Sequence, residues 1–306
     1  MADLKILKNQ YLEHLEIEKN RSPKTLENYS RYLDRFLQFS KISKPEDIGE
    51  ELIRQYRLYL NRLNSPRTGN LRKVTQNYHI IALRGFLKYL AKRGVKSVSA
   101  EKIDLGRAED RHITFLDGRE LERLLDAPEG NSLTALRDRA LLRMLFSTGM
   151  RVSELCSVNR DDIDLKRGEL SVLGKGRKIR LVFLSEEARE HLKKYLDRRT
   201  DADGALFIRV PKRGFGKSSD LRLTPRSVQR AVEKYAKMAG IVGKHVSPHS
   251  LRHSFATNLL RNGADIRSVQ ALLGHSSVTT TQIYTHVTDQ QLREVHKRFH
   301  GQGDKK

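Results

Sequence analysis

Apolar side chains recur at helical spacing throughout the first hundred residues of this chain. Ser22-Pro23 combines a residue that caps helix N-termini with a proline that fits the first turn, so a helix is predicted to begin there. Further helices are predicted near residues 3–18, from Pro45 onward, and over a long segment that ends at Arg93-Gly94, whereas residues 64–70 are predicted to be loop. The apolar positions of these segments include Leu26, Tyr29, Tyr32, Leu33, Phe36, Leu37, Leu52, Ile53, Tyr56, Leu60, Tyr78, Ile81, Leu83, Phe86, Leu87 and Leu90. This pattern favours a bundle of about four helices.

A charged and weakly periodic stretch, residues 101–112, interrupts this pattern. Such stretches commonly join domains, because few contacts cross them. We therefore predict an N-terminal helical domain over residues 1–106, a linker over 107–112 and a second domain over 113–306.

The second domain combines helical periodicity with one short break. Asp117 and Glu120 have the spacing of a capping box. Helices are predicted over about 135–147, 186–199, 225–239, 249–262, 265–273 and 289–299. The β-branched runs 169–173 and 179–184 flank a glycine-rich turn and predict a hairpin. The predicted fold class is therefore mainly α, an N-terminal helical bundle followed by a mostly helical domain with a small β-sheet.

The charge of the chain points to a polyanionic partner. The 306 residues carry a formal net charge of +22, and the sequence pI is about 10.1. Such an excess is typical of nucleic-acid binding, although a ribosomal or membrane-surface protein would also be basic. The single cysteine, Cys156, excludes an intramolecular disulfide and is predicted to be a small core residue. No apolar stretch approaches the length of a membrane span or a signal peptide, so we expect no membrane partner and a cytoplasmic location.

Six residues in the second domain are of the chemical types that cleavage of a phosphodiester requires. Cleavage without a metal needs a nucleophile, a proton acceptor, a proton donor for the leaving oxygen, and donors for the non-bridging oxygens. Arginine suits the last task, because its planar fork stays charged at any working pH. The candidates, in chain order, are Arg151, Lys175, His249, Arg252, His275 and Tyr284. Taken alone, each of these residues could have an ordinary structural role. Tyr284, for example, is one of ten tyrosines and could pack in the core.

Together these motifs resemble the active site of the tyrosine site-specific recombinases, the integrase family that includes the Xer recombinases. The motifs that carry the resemblance are Thr148-Gly-Met-Arg151, Gly174-Lys175-Gly176, His249-Ser-Leu-Arg252-His253, Leu273-Gly-His275 and Gln282-Ile-Tyr284-Thr-His. The resemblance covers nearly the whole chain. It implies a SAM-like core-binding domain at the N-terminus and a catalytic domain after it.

The resemblance also assigns roles to the six residues. Arg151 and Arg252 would hold the scissile phosphate, and Tyr284 would attack it with His249 as base. Lys175 would protonate the leaving 5′-oxygen, with Lys178 as a competitor for that role, and His275 would donate to the phosphate. Glu154 is expected to be structural, in an ion pair that orients Arg151.

The function implied is site-specific DNA recombination through a 3′-phosphotyrosyl intermediate, without cofactor, metal or ATP. Four protomers, in a homo- or hetero-tetramer, would act on two double-stranded DNA sites, with a paralogous recombinase or a DNA translocase as further possible partners. Because the chain starts directly with the helical domain, we expect a Xer-type role in chromosome or plasmid dimer resolution. Alternatives are the integrase of a mobile element and a basic DNA-binding protein without catalysis.

Two metal-dependent interpretations compete with this one. His249 and His253 lie four residues apart, but the zincin pattern needs a glutamate where Ser250 stands. The acidic segment 161–164 could bind magnesium, yet its place between a predicted helix and a hairpin favours a solvated turn. We expect no metal site.

Overall fold

The structure is a computed structural model and describes residues 3–65, 69–107, 116–174, 179–210 and 221–274. The chain divides into two compact units, Met1–His112 and Ile113–Lys306. Each unit has its own apolar core. The predicted helix 289–299 lies outside the described residues.

Four α-helices are described in the first unit: α1 (Leu4–Ile17), α2 (Pro23–Ser40), α3 (Glu50–Arg62) and α4 (Lys73–Lys92). The predicted start of α2 is confirmed, because Ser22 accepts a hydrogen bond from the Thr25 amide and Pro23 occupies the first turn. Pro45 does not begin α3 as predicted. It opens a short 3-10 turn, Pro45–Asp47, and buried, extended Ile48 separates that turn from the helix that Gly49 caps.

The buried face of α4 differs from the predicted face around Tyr78 and Ile81, and Ile80 rather than Ile81 is buried. The pattern places Tyr78 on the buried face, yet 46% of it is exposed. The neighbouring His79 is buried instead, since its Nδ1 lies 3.0 Å from the Tyr56 hydroxyl and shares a hydrogen bond with it. A buried polar ring is tolerated when it is paired.

The segment predicted as a loop between α3 and α4 contains a minimal β-ladder. Strands β1 (Asn64–Ser65) and β2 (Gly69–Asn70) pair antiparallel. Two residue pairs are too few to leave a signal of alternating hydrophobicity.

Seven α-helices are described in the second unit: α5 (Gly118–Asp126), α6 (Leu133–Thr148), α7 (Val152–Ser157), α8 (Glu186–Asp197), α9 (Pro225–Met238), α10 (Pro248–Arg261) and α11 (Ile266–Leu273). The capping box that begins α5 is confirmed by reciprocal hydrogen bonds between Asp117 and Glu120, of 2.8 and 2.9 Å. Helix α6 is buried on most sides and forms the centre of this unit. Short α7 contributes Leu155 and Cys156 to the core, so the predicted core position of Cys156 is confirmed.

A three-stranded antiparallel sheet flanks these helices, in the order β3 (Ile163–Asp164), β4 (Glu169–Leu173), β5 (Ile179–Phe183). The hairpin of β4 and β5 is confirmed, with Leu170 opposite Val182 in register. The acidic segment 161–164 is part of a 3-10 turn and of β3 rather than a simple turn. Its Asp164 accepts hydrogen bonds from the Lys166 and Arg167 amides and thereby holds the turn before β4. No described helix has the length and apolar character needed to span a bilayer.

Candidate active site

The site begins at the sharp turn that follows α6. Helix α6 ends at Thr148, and Gly149 adopts a left-handed conformation with φ of +58°. This conformation reverses the chain direction and makes Arg151 the N-cap of α7. A Cβ at Gly149 would overlap the Phe255 ring at Cδ1 and lie 3.1 Å from Leu273 Cδ2. Both the backbone conformation and the close packing therefore require glycine.

Gly149→Ala is expected to destabilise the second unit more than an ordinary glycine substitution. The left-handed conformation and the overpacking against Phe255 together should lower the free energy of unfolding by about 3 kcal/mol. Gly130→Ala is the matched control, since Gly130 also has positive φ (+83°) but nothing lies within 4 Å of the point that a Cβ would occupy there. That control should lose only about 1–2 kcal/mol. Urea denaturation followed by circular dichroism would compare them, and equal losses would contradict the packing argument.

Arg151 is held by the carboxylate three residues after it. Its Nη1 donates to Glu154 Oε1 at 2.8 Å, and its amide donates to Glu154 Oε2 at 2.8 Å. Its Nη2 lies 3.3 Å from the carbonyl oxygen of Gly274. The expected ion pair of Glu154 with Arg151 is therefore present. It fixes the Arg151 side chain, which is 26% exposed.

Glu154 is buried between two guanidinium groups. Arg180, on β5, donates from Nη1 and Nη2 to the two carboxylate oxygens at 3.0 and 2.8 Å. Burial alone would raise the pKa of Glu154, but the hydrogen bonds from Arg180 and Arg151 outweigh it and hold the pKa at about 2. The carboxylate is thus ionised at any working pH, and one negative charge faces two positive ones.

Arg252 is the second arginine predicted to hold the phosphate, and its side chain is buried on α10. Its Nη1 donates to the Gly149 carbonyl at 2.5 Å, and its Nη2 donates to the Leu273 carbonyl at 2.6 Å. The guanidinium thereby links the turn before Arg151 to the end of α11. A guanidinium has five N–H donors in a planar fork, the geometry that suits paired hydrogen bonds to an anion.

The C-terminal end of α11 gathers three arginines from three different elements. Consecutive carbonyl oxygens accept from them: Leu272 from Arg180 at 3.1 Å, Leu273 from Arg252 at 2.6 Å, and Gly274 from Arg151 at 3.3 Å. The last carbonyls of a helix lack partners within the helix and carry its partial negative charge. They are therefore well suited to hold cations side by side.

His249 and His253 flank Arg252 on α10. His249 lies exposed in the first turn, where Ser247 and Pro248 begin the helix. Burial, with smaller effects of His249 and Arg252, lowers the pKa of His253 to about 4, so that its ring is neutral at pH 7. Within the described ranges, no group of three or more His, Cys, Asp and Glu is placed to hold a metal ion.

The structure thus brings together Arg151 and Arg252, with His249 one turn before Arg252 on the same helix. Lys175, its competitor Lys178, His275 and Tyr284 lie outside the described residues. Arg180 was not among the predicted site residues. No local pattern indicated it, because the carboxylate that allows this charge to be buried lies 26 residues away in the chain.

Comparison with known proteins agrees with the motifs. Residues 114–291 match the Phage integrase family, and residues 9–94 match the family's N-terminal SAM-like domain. Tyrosine recombinase XerC of Thermodesulfovibrio yellowstonii is 36% identical over 98% of both chains. XerC of Bacillus subtilis is 34% identical over the whole of both chains.

Solved structures show the same relationship. The XerH site-specific recombinase, crystallised with its palindromic difH substrate after cleavage, is 26% identical, with a TM-score of 0.69 over 95% of this chain and 84% of that one. XerA recombinase is 32% identical, with a TM-score of 0.52 over 95% and 98%. With more than half of its length matched to one family and near-complete coverage by relatives above 30% identity, the chain belongs to the Phage integrase family, among the Xer-type tyrosine recombinases.

Proposed function

We propose that this protein is a site-specific DNA recombinase of the Xer type, which cleaves and rejoins DNA strands through a 3′-phosphotyrosyl intermediate. The observation that carries the proposal is the convergence of Arg151 and Arg252 on adjacent carbonyls at the end of α11. Two fixed guanidiniums side by side match the two non-bridging oxygens of one phosphodiester.

Arg151 and Arg252 would bind the scissile phosphate and stabilise the negative charge of its transition state. Their alignment is built in before DNA binds, so little reorganisation is needed at the moment of reaction. Glu154 partly offsets their charge but leaves the site net positive, because it is one carboxylate among Arg151, Arg180 and Arg252.

Tyr284 would attack the phosphorus, with its phenolic proton passing to His249. The new bond joins Tyr284 Oη to phosphorus, and the bond from phosphorus to the 5′-oxygen breaks. Lys175 would give that oxygen a proton, and His275 would donate a hydrogen bond to the phosphate. A free 5′-hydroxyl from the partner duplex would then reverse the step on a new strand.

The substrate is proposed to be double-stranded DNA, consistent with the charge of +22. Four protomers, identical or shared with a paralogue, would act on two sites in the cytoplasm, and a DNA translocase could activate them. The helical domain of residues 1–106 and the catalytic domain of residues 113–306, joined by a linker at 107–112, would each contact the duplex.

The test is a search for the covalent intermediate at a defined peptide. The protein first selects its own duplex from a random-sequence pool, and copies of that duplex are then nicked at each central position. Incubation in EDTA should give a DNA-linked protein band on a denaturing gel for nicks close to the cleavage point. Trypsin should then leave the DNA on the peptide of residues 268–293, which contains Tyr284 and no other tyrosine.

Each outcome decides one part of the proposal. A DNA adduct on peptide 268–293 supports both the recombinase activity and its nucleophile. An adduct on another peptide would overturn the role of Tyr284. Absence of any adduct on a tightly bound duplex, at every nick position and with magnesium restored, would favour a protein that binds DNA without cleaving it.

A further inference from the structure

We propose that Arg180 is a positioning residue of the active site, which sets the orientation of Arg151 and the end of α11 together. The inference rests on the proposed recombinase function. It concerns a residue that would not contact the phosphate itself and that acts through Glu154.

The contacts of Arg180 extend in two directions from one side chain. Two of its nitrogens bind both carboxylate oxygens of Glu154, at 3.0 and 2.8 Å, while its Nε donates to the Leu272 carbonyl at 3.1 Å. The side chain is only 11% exposed. Three N–H donors of Arg180 are therefore held in fixed geometry. Among cationic side chains, only the planar guanidinium can reach all three acceptors at once.

The end of α11 is shaped around this side chain. Gly274 ends the helix with φ of +64°, and a Cβ there would lie 3.0 Å from Arg180 Cδ and 3.3 Å from its Nε. Glycine at this position both forms the turn and allows the guanidinium stem to pass beneath it. The peptide carbonyl of Gly274 is also the one that Arg151 approaches.

Loss of Arg180 would change what Arg151 does. Glu154 is 5% exposed and ionised, and a buried carboxylate with one counter-ion removed binds the remaining one more strongly. Arg151 would then be drawn toward Glu154 and away from the Gly274 carbonyl. Its charge would then be less available to a phosphate.

The experiment compares Arg180→Lys with a matched control. Lysine keeps the charge and most of the stem but lacks the fork, so it cannot hold both Glu154 oxygens and the Leu272 carbonyl at once, and Glu154 would shift toward Arg151. Arg137→Lys is the control, because Arg137 is 12% exposed, pairs with the buried carboxylate of Asp138, and donates to the carbonyl of Ile208. We expect single-turnover cleavage of a nicked duplex to slow by about 10–100-fold for Arg180→Lys and by less than about 3-fold for Arg137→Lys. The Kd for DNA should change by less than about 3-fold in both.

A second readout separates positioning from general damage. A methylphosphonate at the scissile position removes the negative charge that Arg151 would stabilise. The deficit of Arg180→Lys should therefore shrink to within about 3-fold on that substrate. The ratio of rates on the two substrates is measured in one preparation, so it does not depend on the fraction of protein that is folded.

Two results would overturn the inference, and one would support it. Wild-type rates for Arg180→Lys would overturn it, and so would an equal deficit on phosphate and methylphosphonate, which indicates a merely structural role. A deficit confined to the charged phosphate supports it. If the wild-type protein forms no covalent complex, the proposed function fails first, and that outcome is visible before any variant is made.

Discussion

Tyr284→Phe is expected to eliminate the covalent protein–DNA complex while leaving DNA binding intact. The substitution removes one oxygen, and that oxygen is the atom that would bond to phosphorus. Cleavage should fall by on the order of 10⁴-fold or more, because no other group in the site replaces a missing nucleophile. The Kd should stay within about 2-fold, since binding depends mainly on contacts to the phosphate backbone. A denaturing gel measures the first quantity and a native gel shift the second.

Tyr195→Phe is the control for the loss of a tyrosine hydroxyl in the same unit. Tyr195 is buried in the core, and its hydroxyl accepts a hydrogen bond from the Ile208 amide at 3.3 Å. This variant should lose about 1 kcal/mol of stability but keep its covalent band. A band of wild-type intensity from Tyr284→Phe would contradict the assignment of the nucleophile.

The parts of the fold that follow from local sequence could be predicted. Ser22-Pro23 and the pair Asp117 and Glu120 each satisfy helix amides within three residues, so the sequence alone determines those helix starts. The hairpin of β4 and β5 could be predicted because its partners lie next to each other in the chain. Arg151 and Arg252 could be chosen because their motifs resemble a known family.

The features that could not be predicted from the sequence depend on contacts between residues that are distant in the chain. The alternation in β5 would place the apolar Ile179 and Leu181 inward, yet they are 72% and 45% exposed while Arg180 faces the core. Arg180 can be buried only because Glu154, 26 residues earlier, accepts both ends of its fork. Hydrophobic periodicity assigns charged residues to the surface, so it gives no indication of a distant carboxylate that pairs with a buried arginine.

The same limit applies to the arrangement of the site. The ion pair of Glu154 with Arg151 was expected from residues three positions apart. The three consecutive carbonyls at the end of α11 were not, since Arg180 reaches Leu272 across 92 positions and Arg151 reaches Gly274 across 123. Backbone acceptors carry no residue-specific signal, so their role emerges only once the fold is known.

Arg252→Lys is expected to slow strand cleavage by about 10²–10³-fold with little change in DNA affinity. The Arg252 guanidinium bridges the Gly149 and Leu273 carbonyls at 2.5 and 2.6 Å, and in the proposed mechanism it also donates to the phosphate. A lysine ammonium is a single point charge on a flexible stem, so it cannot span both carbonyls and also form paired bonds to an anion. Single-turnover rates on a nicked duplex at saturating protein measure the chemical step, and fluorescence anisotropy of labelled DNA measures binding.

Arg199→Lys separates this catalytic effect from the loss of a buried guanidinium. The Arg199 side chain is fully buried and, like Arg252, donates to two backbone carbonyls, those of Ala205 and Leu206 at 2.6 and 2.8 Å; it also pairs with Asp201. Its contacts lie among residues 195–206 rather than at the end of α11. Both variants should therefore lose stability in thermal melts, but only Arg252→Lys should lose cleavage at a temperature where both are folded. Equal cleavage losses in the two variants would mean that Arg252 supports the fold rather than the phosphate.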